Sequence, residues 1–196
     1  MHDDLSTLLC ADRPQLAAAL AGGHSIDPAA LDDSAYRGVS LGLPRWVEAL
    51  SWKTFMKCFQ RDPESGRLHG WNVRLEQDGT EAPCRAKTRR DGHPASFGYF
   101  GVVDPLAHGV AEHLSAGLLI HYGLGGNAAL DPISRLRDPI VALRPGDASL
   151  LLGWSYLDLG FACPTPSYFT LERVGNLTDL CPEFVQGGQA GADDPT

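Results

Sequence analysis

The residues best suited to acid–base chemistry in this sequence are histidines and tyrosines within apolar segments. His69 alternates with Trp71, and His121 and Tyr122 stand at the end of the apolar run GLLIHYGL. An imidazole exchanges protons near neutral pH, and a neighbouring phenol can donate a hydrogen bond or a proton to a substrate. These residue types therefore make His69, His121 and Tyr122 candidate catalytic residues, with Tyr156 as a second possible proton donor.

A second group of residues could form the wall of a binding pocket. Small-molecule pockets are mostly apolar and aromatic, with a few placed polar groups that orient the ligand. The residues of this kind in the predicted strands are Trp71, Arg74, Tyr99, Trp154 and Tyr156. We take them as candidate ligand-binding residues, with His69, His121 or Arg74 as the polar anchor.

The sequence contains one dinucleotide-like motif, GLGGNA at residues 123–128, which follows an apolar run. The helix that a Rossmann fold needs at this point would contain Pro132, and no βα units follow. A glycine-rich loop at the mouth of a barrel is therefore the interpretation we favour.

The motifs of metal and nucleophilic sites are missing from the sequence. His108 and His113 are five residues apart, about 140° around a helix, so the two rings would not converge on one ion. The five cysteines form no CxxC pair, and no GxSxG sequence is present. We expect a protein that needs no cofactor and no metal.

Composition limits the partners and the location. The formal net charge is −8, and nucleic-acid binding requires clustered Lys and Arg, so nucleic acid is not an expected partner. The start of the sequence is acidic, unlike a secretory signal, and no apolar run is long enough to span a membrane. Widely spaced cysteines in odd number suit a reducing compartment, so we predict a cytoplasmic protein.

The elements that must position these residues are mostly strands. Residues 68–77 alternate apolar and polar, which is typical of a half-buried strand. The apolar face consists of His69, Trp71, Val73 and Leu75. We expect this face to point into the barrel, with Arg74 on the opposite face. Other predicted strands are 84–90, 97–103 and 117–124, and residues 44–59 are predicted as a helix or a helix followed by a strand.

Three runs near the end of the sequence give the clearest topological signal. Residues 138–143, 150–157 and 168–174 are rich in strand-forming residues and are separated only by turn residues. Connections this short require antiparallel pairing. Near the start, 14–20 is predicted as a helix capped by Asp12, and a second short helix is possible at 28–31.

Together these elements predict a mainly β protein. About seven to nine short strands without βαβ alternation favour a closed antiparallel barrel, because closure removes exposed edge strands. We expect an N-terminal helical segment at 1–35, a barrel domain at 36–186 and a disordered tail at 187–196.

Four short segments of the sequence resemble the lipocalin-like (calycin) barrels of bacteria, including the GxWxG type. They are residues 36–38, 52–55, 151–153 and 168–173. The GxWxG motif is not intact, since Tyr36 to Val39 read YRGV. The resemblance covers about half of the chain and implies a barrel with an internal pocket, and it transfers no catalytic residue.

Two functions are favoured at this point, and a plain structural or interaction role is a third alternative. The protein binds a small hydrophobic or aromatic molecule in the barrel, or it is a cofactor-independent isomerase, cyclase or lyase that uses a His/Tyr acid–base pair in the same cavity. A catalytic histidine should contact a second titratable group, whereas a binding pocket does not require one.

Overall fold

The computed structural model describes residues 2–42, 53–79, 83–128 and 130–177. Within these ranges the strands form one closed antiparallel barrel, in which each strand pairs with the next and the last pairs with the first. The strands are β1 Ser34–Leu41, β2 Thr54–Arg61, β3 Leu68–Arg74, β4 Ser96–Val103, β5 Leu118–His121, β6 Leu136–Arg144, β7 Asp147–Asp158 and β8 Ala162–Asn176. The predicted fold class, a mainly β antiparallel barrel, is confirmed.

The three runs that predicted a meander correspond to β6, β7 and β8. β7 pairs antiparallel with both neighbours, as the short connections require. β6 and β7 are joined by a tight turn in which Gly146 has a φ of 70°, a conformation that glycine adopts without strain. β8 also pairs with β1 and closes the barrel.

Two short α-helices precede the strands, of which the second was predicted at 14–20 and the first was not predicted. α1 spans His2–Cys10 and α2 spans Arg13–Ala21. At the start of α2, Asp12 accepts from the backbone N–H of Gln15, while the Gln15 side chain accepts from the N–H of Asp12. This capping box satisfies two backbone donors at the helix terminus and explains why α2 begins at residue 13.

The helices lie against the outside of the barrel. Leu16 and Leu20 of α2 are buried against Leu152 of β7 and Val39 of β1. No helix in the described ranges is both long and apolar enough to cross a membrane. The outer face of β1 and β7 is therefore apolar because a helix covers it.

A second apolar layer covers the outside of β2 and β3. Trp71 and Val73 of β3 pack with Met56 and Cys58 of β2, and Leu177 joins the same cluster. The predicted orientation of His69, Trp71 and Val73 toward the interior is wrong. These residues face outward, because the outer face is buried under the chain that follows β3 and β8 and so must also be apolar.

The barrel interior contains a separate core at one end. Its largest members include Tyr36, Phe59, Phe100 and Ile140, all fully buried. Leu31, in the short 3₁₀ helix Pro28–Leu31, also belongs to this core. This end of the barrel is packed with side chains, and the other end contains a cavity.

An irregularity in β4 changes which of its residues point inward. The register against β3 shifts between Gly70 and Asn72, so that one extra β4 residue is accommodated near Gly98, which has a φ of 55°. Such a bulge disrupts the alternation of faces. Phe97 and Phe100 therefore both reach the interior, while Tyr99 joins the outer cluster of β2 and β3.

Some predicted elements differ from the structure or lie outside the described residues. Residues 84–90 form no strand and contribute only isolated bridges at Ala86 and Thr88. In the segment 44–59, β2 begins at residue 54, and the predicted helix falls mainly on residues 43–52, which the described ranges omit. The predicted disordered tail, 187–196, also lies outside them.

Candidate functional site

Lys57 lies inside the barrel, near the middle of β2. Only 2% of its surface is exposed. Its Nζ atom donates to Oδ1 of Asn72 at 3.0 Å and to the hydroxyl oxygen of Tyr122 at 2.5 Å. Asn72 stands directly opposite Lys57 in the register of β2 and β3, so both side chains leave the sheet on the same face.

Asp138 completes this buried polar cluster from β6. Its Oδ2 atom lies 3.4 Å from Nζ of Lys57 and accepts from the Tyr122 hydroxyl at 3.1 Å. The other carboxylate oxygen, Oδ1, is buried and has no hydrogen-bond partner among the described residues. A buried acceptor without a partner costs free energy, so this atom is suited to accept from a bound molecule.

Asn72 is held in place by the bulge in β4. Its Nδ2 atom donates to the carbonyl oxygen of Gly98 at 2.9 Å, which leaves Oδ1 directed at Lys57. The bulge thus orients a side chain of the site as well as exposing Phe97 to the interior.

Aromatic rings surround the Lys57 amine. Its Nζ atom lies 5.0 to 5.6 Å from four ring centroids, those of Phe55, Phe100, Tyr122 and Phe169. The faces of aromatic rings carry partial negative charge and attract cations at this distance. The rings therefore replace part of the hydration that a buried ammonium group loses.

Burial changes the proton affinity of both donors in the cluster. Loss of solvation lowers the pKa of Lys57, and the Asp138 carboxylate opposes this shift. Burial raises the pKa of Tyr122 well above its ordinary value, and the charge of Asp138 adds to the rise. Tyr122 is therefore a stable hydrogen-bond donor, and Lys57 loses its proton more readily than an exposed lysine.

A cavity of about 370 Å³ extends from this cluster toward one end of the barrel. Its buried end contains Lys57, Asn72 and Asp138, and its other end is bordered by half-exposed residues such as Ser155 and Ser167. The remaining lining residues are Ser40, Phe55, Phe97, Tyr122, Ile133, Leu136 and Phe169. The cavity thus combines apolar walls with a polar cluster at its inner end.

Inward-facing glycines make room for the aromatic walls. Gly38 of β1 pairs with Phe55 of β2, and a Cβ atom at Gly38 would lie 2.2 Å from the Phe55 ring. Gly153 of β7 pairs with Phe169 of β8, and a Cβ atom there would also lie 2.2 Å from the ring. Any larger residue at either position would displace a ring that lines the cavity.

Of the three residues predicted to be catalytic, Tyr122 lines the cavity and contacts other titratable groups. His69 lies on the outer face of β3, where its ring is 6.3 Å from that of Trp71. His121 also lies outside the cavity, and its ring is 5.0 Å from that of His108. The structure therefore does not bring His69 or His121 together with Tyr122 in one pocket.

His121 is nevertheless strongly affected by its surroundings. Burial lowers its pKa to about 4, and the positive charges of Arg137 and His108 contribute. Its Nδ1 atom is buried without a hydrogen-bond partner among the residues that the structure describes. A neutral imidazole is the form that this environment favours.

The residues predicted to bind a ligand lie mostly outside the cavity. Trp71 and Tyr99 belong to the outer cluster of β2 and β3. Trp154 packs in the layer beneath the helices, with the Tyr156 ring 5.4 Å away. Arg74 lies beside the cavity, since its guanidinium carbon is 5.4 Å from the centroid of the lining residue Phe97.

Sequence reasoning missed Lys57, Asn72 and Asp138. Lys57 stands within the apolar run FMKCF, and Asp138 precedes the apolar run PIVAL. A lone charged residue within a hydrophobic strand is unusual unless it is paired, and this was the available signal.

Within the described ranges, no group of three His, Cys, Asp or Glu side chains is placed to hold a metal ion. Comparison with known proteins gave no match to a family model, a curated protein or a solved structure.

Proposed function

We propose that this protein binds a small neutral molecule inside the barrel, with an apolar or aromatic body and one polar group directed at Asp138. The observation that carries the proposal is that Asp138 lines the cavity while its Oδ1 atom has no hydrogen-bond partner among the described residues. A ligand hydroxyl at this position would donate to Oδ1 and would satisfy the acceptor.

The volume and lining of the cavity support a ligand of this kind. Small-molecule sites typically occupy about 300 to 1,000 Å³ and are mostly apolar with a few polar groups. The cavity of about 370 Å³ lies at the lower end of this range. A compact aromatic compound is therefore the class of ligand we favour.

The charges of the site favour a neutral ligand. Lys57 and Asp138 form a buried pair of opposite sign, so the site has no unbalanced charge to offer to an ion. Burying an ion without a partner is costly. The net charge of −8 further disfavours anions at long range.

A relationship to lipocalin-like barrels is part of this proposal. It is supported by the up-and-down order of the eight described strands and by the cavity at one end of the barrel. Lipocalins are barrels of about eight strands in this order that hold one small ligand.

The alternative of a His/Tyr acid–base pair in the cavity has less support. Tyr122 lines the cavity, but neither His69 nor His121 does. An isomerase, cyclase or lyase on this scaffold would have to use Lys57 and Tyr122 as its proton-transfer groups.

A thermal-shift experiment tests the proposed function. We expect 2-naphthol to raise the melting temperature in proportion to the logarithm of its concentration, because it binds only the folded state. The 2-naphthoate anion, NAD and Mg²⁺ are expected to have little effect. Stabilisation by NAD or Mg²⁺ alone would overturn the proposal and would point to the glycine-rich loop at 123–128.

Two variants locate the binding. Ser155→Phe places a ring in the cavity and should abolish the stabilisation by 2-naphthol. Ser65→Phe makes the same change in the exposed turn between β2 and β3 and should retain it. Equal stabilisation of both variants would show that 2-naphthol binds elsewhere.

A further inference from the structure

Lys57 is placed to form a covalent bond with a ligand in the cavity. We propose that its Nζ atom forms a Schiff base with an aldehyde whose apolar body occupies the cavity. This inference rests on the proposed function, because it requires that the cavity accept a small apolar molecule.

The position of Nζ is the first argument. Lys57 lines the cavity at its buried end, beside Asn72, Tyr122 and Asp138. The sequence contains only two other lysines, Lys53 and Lys87, and both are exposed. Lys57 is therefore the one lysine of the three that a molecule in the cavity would meet.

The environment of Lys57 also favours its reactive form. An amine attacks a carbonyl group only when it is unprotonated, and desolvation in an apolar site increases this fraction. Burial lowers the pKa of Lys57 and so favours the neutral amine. An exposed lysine has no such activation.

The neighbouring groups can carry the protons that the reaction moves. The Nζ lone pair attacks the aldehyde carbon, and the carbonyl π electrons move to oxygen. The nitrogen passes one proton to the Tyr122 hydroxyl, which delivers its own proton to the new alkoxide. The proton that the Lys57 ammonium group gave to Asp138 before the attack then passes through the Tyr122 hydroxyl to the carbinolamine hydroxyl, which leaves as water. The nitrogen lone pair forms the C=N bond and the nitrogen keeps its remaining proton, so that a protonated Schiff base stands beside the Asp138 carboxylate.

The Schiff base that forms is stabilised by the same groups that surround the Lys57 amine. A protonated Schiff base is a cation at the position of the former ammonium group, where Asp138 lies 3.4 Å away and four aromatic rings surround the nitrogen. These groups stabilise the cation as they stabilise the protonated amine. No redox partner is needed, and one water molecule is released.

The geometry also selects the class of carbonyl compound. Because Nζ lies at the buried end of the cavity, the reacting carbon must be at the end of the ligand that enters first. A terminal aldehyde meets this requirement, whereas a ketone in the middle of a bulky molecule does not. We therefore infer an aromatic or aliphatic aldehyde as the substrate class.

Trapping with borohydride tests the inference. The full-length protein is incubated with 2-naphthaldehyde and reduced with sodium borohydride, and the adduct is located by intact mass and peptide mapping. We expect one naphthylmethyl group at Lys57, at a level about tenfold above Lys53 or Lys87. The alcohol 2-naphthalenemethanol, treated in the same way, should bind without leaving an adduct.

Variants separate a specific reaction from general amine chemistry. Lys57→Arg keeps the positive charge and should lose the adduct. Tyr122→Phe keeps the ring and the lysine, and should slow adduct formation by about a hundredfold if the hydroxyl relays the proton. Lys53→Arg is the matched control and should leave labelling of Lys57 unchanged.

The outcomes distinguish this inference from the proposed function. If the alcohol and the aldehyde both stabilise the protein but no adduct forms at Lys57, the cavity binds ligands and the Schiff base is refuted. Equal labelling of Lys53, Lys57 and Lys87 would also refute it. If neither compound binds and no adduct forms, the proposed function fails and this inference fails with it.

Discussion

The Nζ atom of Lys57 lies 3.4 Å from Oδ2 of Asp138 inside the barrel, and the two side chains are only 2% and 3% exposed. A pair of this kind is expensive to bury, because both charges leave water. The aromatic rings around Nζ and the Tyr122 hydroxyl recover part of this cost. The pair is therefore a specific feature of the cavity, and its removal has measurable consequences.

The first prediction is that Lys57→Met strongly destabilises the protein. The substitution leaves the Asp138 carboxylate buried without its cationic partner, which costs about 3 to 5 kcal/mol in comparable pairs. Urea denaturation measures the free energy of unfolding. Lys53→Met is the control, because Lys53 is exposed and its replacement should change stability by less than about 0.5 kcal/mol.

A double variant distinguishes charge burial from packing. Lys57→Met combined with Asp138→Leu removes both charges, and we expect it to be more stable than either single variant. If the double variant loses as much stability as the two single variants together, the two side chains act through packing alone.

The second prediction concerns Gly153, which pairs with Phe169 across β7 and β8. Gly153→Ala places a methyl group against the Phe169 ring and forces it toward the cavity. We expect a loss of about 1 to 3 kcal/mol in stability and weaker binding of 2-naphthol. Unchanged affinity, measured by titration, would show that the Phe169 ring does not border the ligand site.

Gly66→Ala is the control for Gly153→Ala. Gly66 has a φ of 68° and open space around it, in the turn between β2 and β3. The substitution should lower stability through backbone strain alone and leave the affinity for 2-naphthol intact.

The third prediction is a pH dependence that originates at His121. Its pKa in the folded protein is about 4, against an ordinary 6.5, so the unfolded chain binds the proton first as the pH falls. The stability that depends on a neutral His121 is therefore fully present above pH 6.5 and is lost as the pH decreases toward 4.

Replacement of His121 checks this dependence. The free energy of unfolding of His121→Gln should decrease less than that of the wild type between about pH 7 and about pH 4.5. His113→Gln, at an exposed position, is the control. If wild type and His121→Gln differ by the same free energy of unfolding at both pH values, His121 is not the origin of the pH dependence.

The fourth prediction compares two residues of β3 that lie on opposite faces. Asn72→Ala removes the acceptor of Lys57 and the donor to Gly98, so it should weaken binding of 2-naphthol and cost about 1 to 3 kcal/mol. His69→Ala changes the outer face and should leave affinity unchanged. Weaker binding by His69→Ala alone would reverse the assignment of faces.

Local patterns in the sequence were sufficient to predict much of the fold. The turn residues between 138–143, 150–157 and 168–174 limited their connections to antiparallel pairing, and Asp12 marked the start of α2. These features depend on neighbouring residues and on short turns. They are therefore readable without knowledge of the rest of the molecule.

The candidate site was predicted only at Tyr122. Lys57 and Asp138 are separated by 81 positions in the chain, and Asn72 and Tyr122 by 50. No local pattern relates residues at such distances, and only closure of the barrel brings β2, β3 and β6 together around one cavity.

The sequence by itself determined that residues of β3 alternate between two faces, and the tertiary structure decided which face is inside. Alternation follows from the pleated geometry of a strand and has a period of two in any environment. The inward face depends on what covers the outside, and here Trp71 and Val73 are buried beneath other parts of the chain. The inward position on β3 is occupied by Asn72, whose side chain accepts from Lys57 and donates to Gly98.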